Sequence, residues 1–179
     1  DTTGATDGID AINKGTGALS ITTTGTTTGT RSYGIFAYND GTSLTINAAT
    51  TTGGQHGIYA KNEGEGALSI TTTGDTKGNG IFVKDDEGKI TSDESNGRTD
   101  GDGIFAFSEG GGAVNITTLG AVTGGRHGIN VENLTSDGNN GKTSITVGAT
   151  STITTSAVGG YGILNRMAEY NEAVIVPLS

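Results

Sequence analysis

The sequence predicts an all-β chain coiled into a right-handed parallel β-helix, a solenoid of about seven rungs of roughly 23 residues each. Three observations carry this reading. A glycine-isoleucine pair recurs at near-constant spacing, short segments alternate apolar and polar residues, and the composition holds too little apolar material for a wide core.

The pairs are Gly8-Ile9, Gly34-Ile35, Gly57-Ile58, Gly80-Ile81, Gly103-Ile104, Gly128-Ile129 and Gly162-Ile163, and their glycines lie 26, 23, 23, 23, 25 and 34 residues apart. A second marker follows each pair: Leu19-Ser-Ile21, Leu44-Thr-Ile46, Leu68-Ser-Ile70, Val114-Asn-Ile116 and Ser144-Ile145, with Lys89-Ile90-Thr91 in the corresponding place of the fourth copy. Each copy then runs into a Thr/Gly/Val-rich tail, so the unit reads as two or three short strands separated by Gly, Asn or Asp turns.

Period two appears inside these strands. Leu19 and Ile21 share one face and Ser20 and Thr22 the other, while Ile58, Ala60 and Asn62 oppose Tyr59 and Lys61. A unit this small cannot bury its apolar face alone and must stack on its neighbours. The seven isoleucines of the pairs are then expected in one interior column, and the Leu/Val-x-Ile markers along another wall. Asn13, Asn39, Asn62 and Asn133 are expected at equivalent turns, where an amide can satisfy local backbone groups. The right hand follows from the crossover preference of parallel strands. A propeller blade needs roughly 40 residues, which does not suit this period.

Composition limits the rest. The 179 residues include 33 glycines, one proline and no cysteine, and 31% are hydrophobic. Only 16% are charged, and β-branched residues are abundant, which argues against disorder. A disulfide scaffold, thiol catalysis and thiolate metal ligation are excluded. The net charge of -9, with basic residues scattered singly, speaks against binding nucleic acid or an anionic membrane surface. No run of 18 apolar residues offers a spanning segment, so direct membrane insertion by this segment is not expected. Residues 1–179 read as one β-helical segment, with an atypical terminal part from about residue 166. Thr135–Lys142 has the composition of an exposed loop, and Ala173-Val-Ile-Val176 is a strand candidate outside the repeat pattern.

The residue before each repeat glycine forms a column: Asp7, Tyr33, His56, Asn79, Asp102, His127 and Tyr161. In an unbroken register Asp102 neighbours His127, close enough for a charge-assisted hydrogen bond that raises the histidine pKa, while His56 stands two rungs from Asp102. No Ser or Cys shares the column as a nucleophile, and no catalytic residue is assigned. The acidic stretch Asp85-Asp86-Glu87, Asp93-Glu94, Asp100 and Asp102 matches no calcium-loop spacing and reads as a solvated loop; no metal or cofactor is expected. Threonine columns broken by Asn47, Ala49 and Leu119 are too uneven for an ice-binding surface. The candidate contact surface is instead an outward aromatic stripe of Phe36, Tyr59, Phe82 and Phe105, widened by Tyr38 and Phe107, with Lys61 and Lys84 between them.

The motifs Gly34-Ile-Phe-Ala-Tyr-Asn39, Gly57-Ile-Tyr-Ala-Lys-Asn62, Gly64-Glu-Gly-Ala-Leu-Ser-Ile-Thr-Thr-Thr-Gly74, Gly103-Ile-Phe-Ala-Phe-Ser108 and Val122-Thr-Gly-Gly-Arg-His-Gly-Ile129 resemble the Gly-rich passenger repeats of bacterial autotransporter adhesins, over nearly the whole chain up to about Asn165. That resemblance implies a non-enzymatic passenger segment, exported as part of a larger precursor to the bacterial cell surface or secreted, that mediates adhesion or self-association. The implied partners are a host cell-surface or extracellular-matrix protein, or a second copy. The alternative is a polysaccharide-degrading β-helix enzyme, which would need two carboxylates facing one groove.

Overall fold

A computed structural model of the chain describes residues 1–80, 101–134, 141–156, 160–167 and 173–177. Each coil carries three short strands. The first has β1 (Thr2–Gly4), β2 (Ile9–Asn13) and β3 (Leu19–Thr22), and the second β4 (Thr27–Gly29), β5 (Ile35–Asn39) and β6 (Leu44–Ala48). The third has β7 (Thr51–Gly53), β8 (Ile58–Asn62) and β9 (Leu68–Thr72). The fourth runs through β10 (Thr76–Gly78), β11 (Ile104–Ser108) and β12 (Val114–Thr118), and the fifth through β13 (Val122–Gly124), β14 (Ile129–Asn133) and β15 (Thr143–Val147). The last has β16 (Ile153–Thr155), β17 (Ile163–Met167) and β18 (Ala173–Pro177). Equivalent strands pair in parallel, giving three six-stranded sheets, β1-β4-β7-β10-β13-β16, β2-β5-β8-β11-β14-β17 and β3-β6-β9-β12-β15-β18. The fold is a parallel β-helix.

The core is a set of like residues in register. Ile9, Ile35, Ile58, Ile104, Ile129 and Ile163 form one inner column, and Ala11, Ala37, Ala60, Ala106, Val131 and Asn165 the next. Leu19, Leu44, Leu68 and Val114, with Ile21, Ile46, Ile70, Ile116 and Ile145, make the facing wall. The third wall is threonine: Thr27, Thr51 and Thr76 are at most 1% exposed, and Val122 then takes their column. This explains how so little apolar residue suffices, because threonine methyls complete a narrow core. It also explains the repeat glycine. A Cβ on Gly34, Gly57 or Gly103 would collide with the Thr51, Thr76 or Val122 methyl and with the carbonyl of the corresponding glycine one coil on.

One expectation changes. Ile58 pairs directly with Ile104, and Leu68 directly with Val114, so the described residues form six coils and no rung stands between β8 and β11. The Gly80-Ile81 pair therefore marks no coil of this ladder. Gly80 differs from the other repeat glycines in its backbone, with φ 62°, a left-handed conformation that favours glycine. A Cβ on Gly101 would overlap the backbone of Gly80, so these two glycines meet at one point of the coil. Ile81, Phe82, Lys84, Asp85, Asp86, Glu87, the Lys89-Ile90-Thr91 marker, Asp93, Glu94 and Asp100 lie outside the described residues. So does most of the Thr135–Lys142 loop. At the far end β17 and β18 continue the ladders, since β18 pairs with β15 from Thr143↔Ala173 to Val147↔Pro177.

Candidate functional site

The outward faces of β5, β8 and β11 carry Phe36, Tyr59 and Phe105 at the same register position. Their rings stack: Phe36 and Tyr59 have centroids 5.2 Å apart at 15°, and Tyr59 and Phe105 5.1 Å apart at 29°. Near-parallel rings at such distances must be offset, each covering part of its neighbour's face. The described stripe thus spans three coils, with Tyr59 and Phe105 in direct contact, and Phe82 lies outside the described residues. The neighbouring outward column is Tyr38, Lys61 and Phe107. The Lys61 ammonium lies 5.7 Å from the Tyr38 ring centre and 5.2 Å from that of Phe107, and is paired to Glu63 at 2.6 Å and Glu109 at 3.6 Å. Glu63 holds the lysine pKa up, Lys61 holds that of Glu63 down, and hydrogen bonds to Asp40 and Glu63 raise the Tyr38 phenol. All six of these ring and lysine side chains are half-buried.

Two further rings join the stripe from the corner before the repeat glycine. Tyr33 lies 5.3 Å from both Phe36 and Tyr59, and His56 stacks on Tyr33 at 5.6 Å and reaches Phe105 at 5.9 Å. The column containing them is real but has six members: the backbone N–H groups of Gly8, Gly34, Gly57, Gly103 and Gly128 bond to the carbonyls of Tyr33, His56, Asp102, His127 and Tyr161. Asn79 is not among them. His56 and Asp102 are consequently on adjacent coils, not two apart.

Side chains of the column form a directional ladder. Asp7 Oδ1 accepts the N–H of Tyr33 at 2.9 Å, while His56 Nδ1, Asp102 Oδ1 and His127 Nδ1 accept those of Asp102, His127 and Tyr161 at 3.1 Å each. An Nδ1 that accepts a backbone N–H carries no proton, so the neutral His56 ring is protonated at Nε2. Burial pushes the His56 pKa down to about 4, against the opposing pull of Asp102. The 3.8 Å approach of His56 Nδ1 to Asp102 Oδ2 is therefore no ion pair at neutral pH. Nor does Asp102 pair with the His127 ring as expected. Its carboxylate, 0% exposed, takes Nε and Nη2 of Arg126 at 3.1 and 2.8 Å, the backbone N–H of His127, and Nδ2 of Asn130 at 3.2 Å. Charge-assisted, bidentate bonding of this kind suits a buried carboxylate.

Beside this network Gln55, His56, Tyr59, Phe105 and Arg126 line a shallow, open depression of about 280 Å³. Among the described residues no three His, Cys, Asp or Glu side chains come together as a metal-binding group. The two outward columns and the corner column are legible in the sequence; that Tyr33 and His56 reach the stripe, with Asp102 behind His56, is not. They precede Phe36, Tyr59 and Phe105 by three residues, a spacing that alternation within a strand assigns to the opposite face; the bend at the glycine reverses it. No protein-family model, curated protein or solved structure matches the chain, so the functional reading rests on the site itself.

Proposed function

We propose that this chain is a non-enzymatic, surface-displayed passenger segment of a bacterial precursor, whose aromatic stripe makes contacts for adhesion or self-association. The observation that carries this reading is the three-coil stack of Phe36, Tyr59 and Phe105, held half-exposed on one side of a rod whose core does not need them. Stacked, partly exposed aromatic rings are costly to leave in water and typical of contact surfaces. The partner is a host cell-surface or matrix component, or a second copy of the rod.

The polysaccharide-degrading alternative would place a pair of carboxylates about a glycosidic bond. Of the carboxylates beside the stripe, Asp102 already receives four hydrogen bonds and Glu63 and Glu109 are paired with Lys61, which supports structural roles for them. Loss of polymer length in pectin-like or glycosaminoglycan substrates would overturn the non-enzymatic reading.

The direct test is a Phe36→Ala/Tyr59→Ala variant. It should keep the β-sheet circular dichroism while reducing attachment of protein-coated beads to cells or matrix. Normal attachment with weakened self-association makes the stripe an assembly surface. No change in either removes it from function.

A further inference from the structure

We infer that the depression beside the stripe is a subsite for one neutral pyranose ring of a glycan. This rests on the contact-surface reading and names the ligand class for it. His56 is 7% exposed, and its single hydrogen bond among the described residues uses Nδ1 as acceptor, leaving the Nε2–H donor unmatched within a ring that forms one wall of the depression. That N–H keeps contact with the open depression, so an oxygen of a ligand seated there can accept it. Gln55 adds an amide that both donates and accepts. Arg126 adds a guanidinium whose charge is answered at 2.8 Å by Asp102, so the wall is polar without net charge.

Charge selects among ligands. An anion would find no uncompensated cation here and would approach a chain of net charge -9; a cation would meet the guanidinium. Hydroxyl groups fit both donors and acceptors, and the half-buried rings of Tyr59 and Phe105 give the apolar C–H surface of a sugar ring something to lie against. At about 280 Å³ the depression has room for one ring rather than a long oligosaccharide, so each site binds weakly and useful adhesion comes from many rods acting together.

The experiment titrates the ¹⁵N-labelled chain with maltohexaose, cellohexaose and mannohexaose, with hexagalacturonate as the charged control. At least one neutral hexaose should shift the His56 Nε2–H and Gln55 amide signals at millimolar concentration. Gln55→Ala and His56→Asn should each weaken that binding by about threefold to tenfold, the loss of one net hydrogen bond. Asparagine is chosen because Asp7 and Asp102 show that a short side-chain oxygen serves the ladder at this column, so the fold is kept; thermal unfolding checks it. The inference is overturned if no neutral hexaose moves these signals, if hexagalacturonate binds more tightly, or if both variants bind unchanged. Attachment to cells without any hexaose binding overturns this subsite and leaves the contact-surface reading standing. Hexaose binding at His56 with attachment indifferent to Phe36→Ala/Tyr59→Ala does the reverse.

Discussion

Asp102 and His56 show how a residue in this rod is defined by its neighbour one coil away. Removing the Asp102 carboxylate leaves the Arg126 guanidinium and the His127 N–H without it, in a place where Asp102 itself has no exposure. Asp102→Ala should therefore cost about 3–5 kcal/mol, read as a large fall in melting temperature. For His56 the folded pKa of about 4 lies below the ordinary 6.5, so between these values the unfolded chain binds more protons. Its contribution is full above pH 6.5 and is lost as the pH falls toward 4, about 3 kcal/mol in all. The stability difference between wild type and His56→Asn should shift by this amount between pH 7 and pH 4; a difference independent of pH would contradict the neutral, Nδ1-accepting ring. Of this network only the adjacency of Asp102 and His127 was legible beforehand. The column of residues before glycine was visible, but the sequence does not say that side chains would bond to the next coil's backbone rather than to each other.

At the scale of the element, the corners after β2, β5 and β8 share an amide column. Asn13 Nδ2 donates to Asn39 Oδ1 and Asn39 Nδ2 to Asn62 Oδ1, each at 2.7 Å, and Asn62 Nδ2 donates to the carbonyls of Gly64 and Gly66. In the next coil Ser108 takes the position, too short to continue, and its buried Oγ has no partner among the described residues. Asn62→Ala would strand the Asn39 amide and two carbonyls and should cost about 1–3 kcal/mol in denaturant unfolding. Ser108→Asn should instead stabilise, by about 0.5–1.5 kcal/mol, by extending the column. Equivalence of these asparagines was readable from their constant place after the isoleucine; their contact with one another needed the stacking distance.

For the whole molecule, the parallel β-helix was legible because each strand type repeats its own pattern, and a ladder aligns like with like. The coil count was not. Between Gly57 and Gly103 lie 46 residues, twice the interval of 23, but one step of the ladder, so the Gly80-Ile81 pair kept step with the period and passed for a rung. Two substitutions distinguish the counts. Ile58→Asp should abolish cooperative unfolding, because it buries a carboxylate in the inner column. Ile81→Asp should leave that column intact; equal damage from both would restore a seven-coil ladder.

The meeting of Gly80 and Gly101 means that chain length at this corner is independent of the rod. β8 pairs with β11 and β7 with β10 without any residue from the segment between Gly80 and Gly101. Residues 81–100 should therefore be replaceable by a short linker with the six coils still melting as one, and by foreign sequence of similar size. The corner is a port. Cargo carried there is displayed just before β11 of the aromatic sheet without asking the scaffold to change its register.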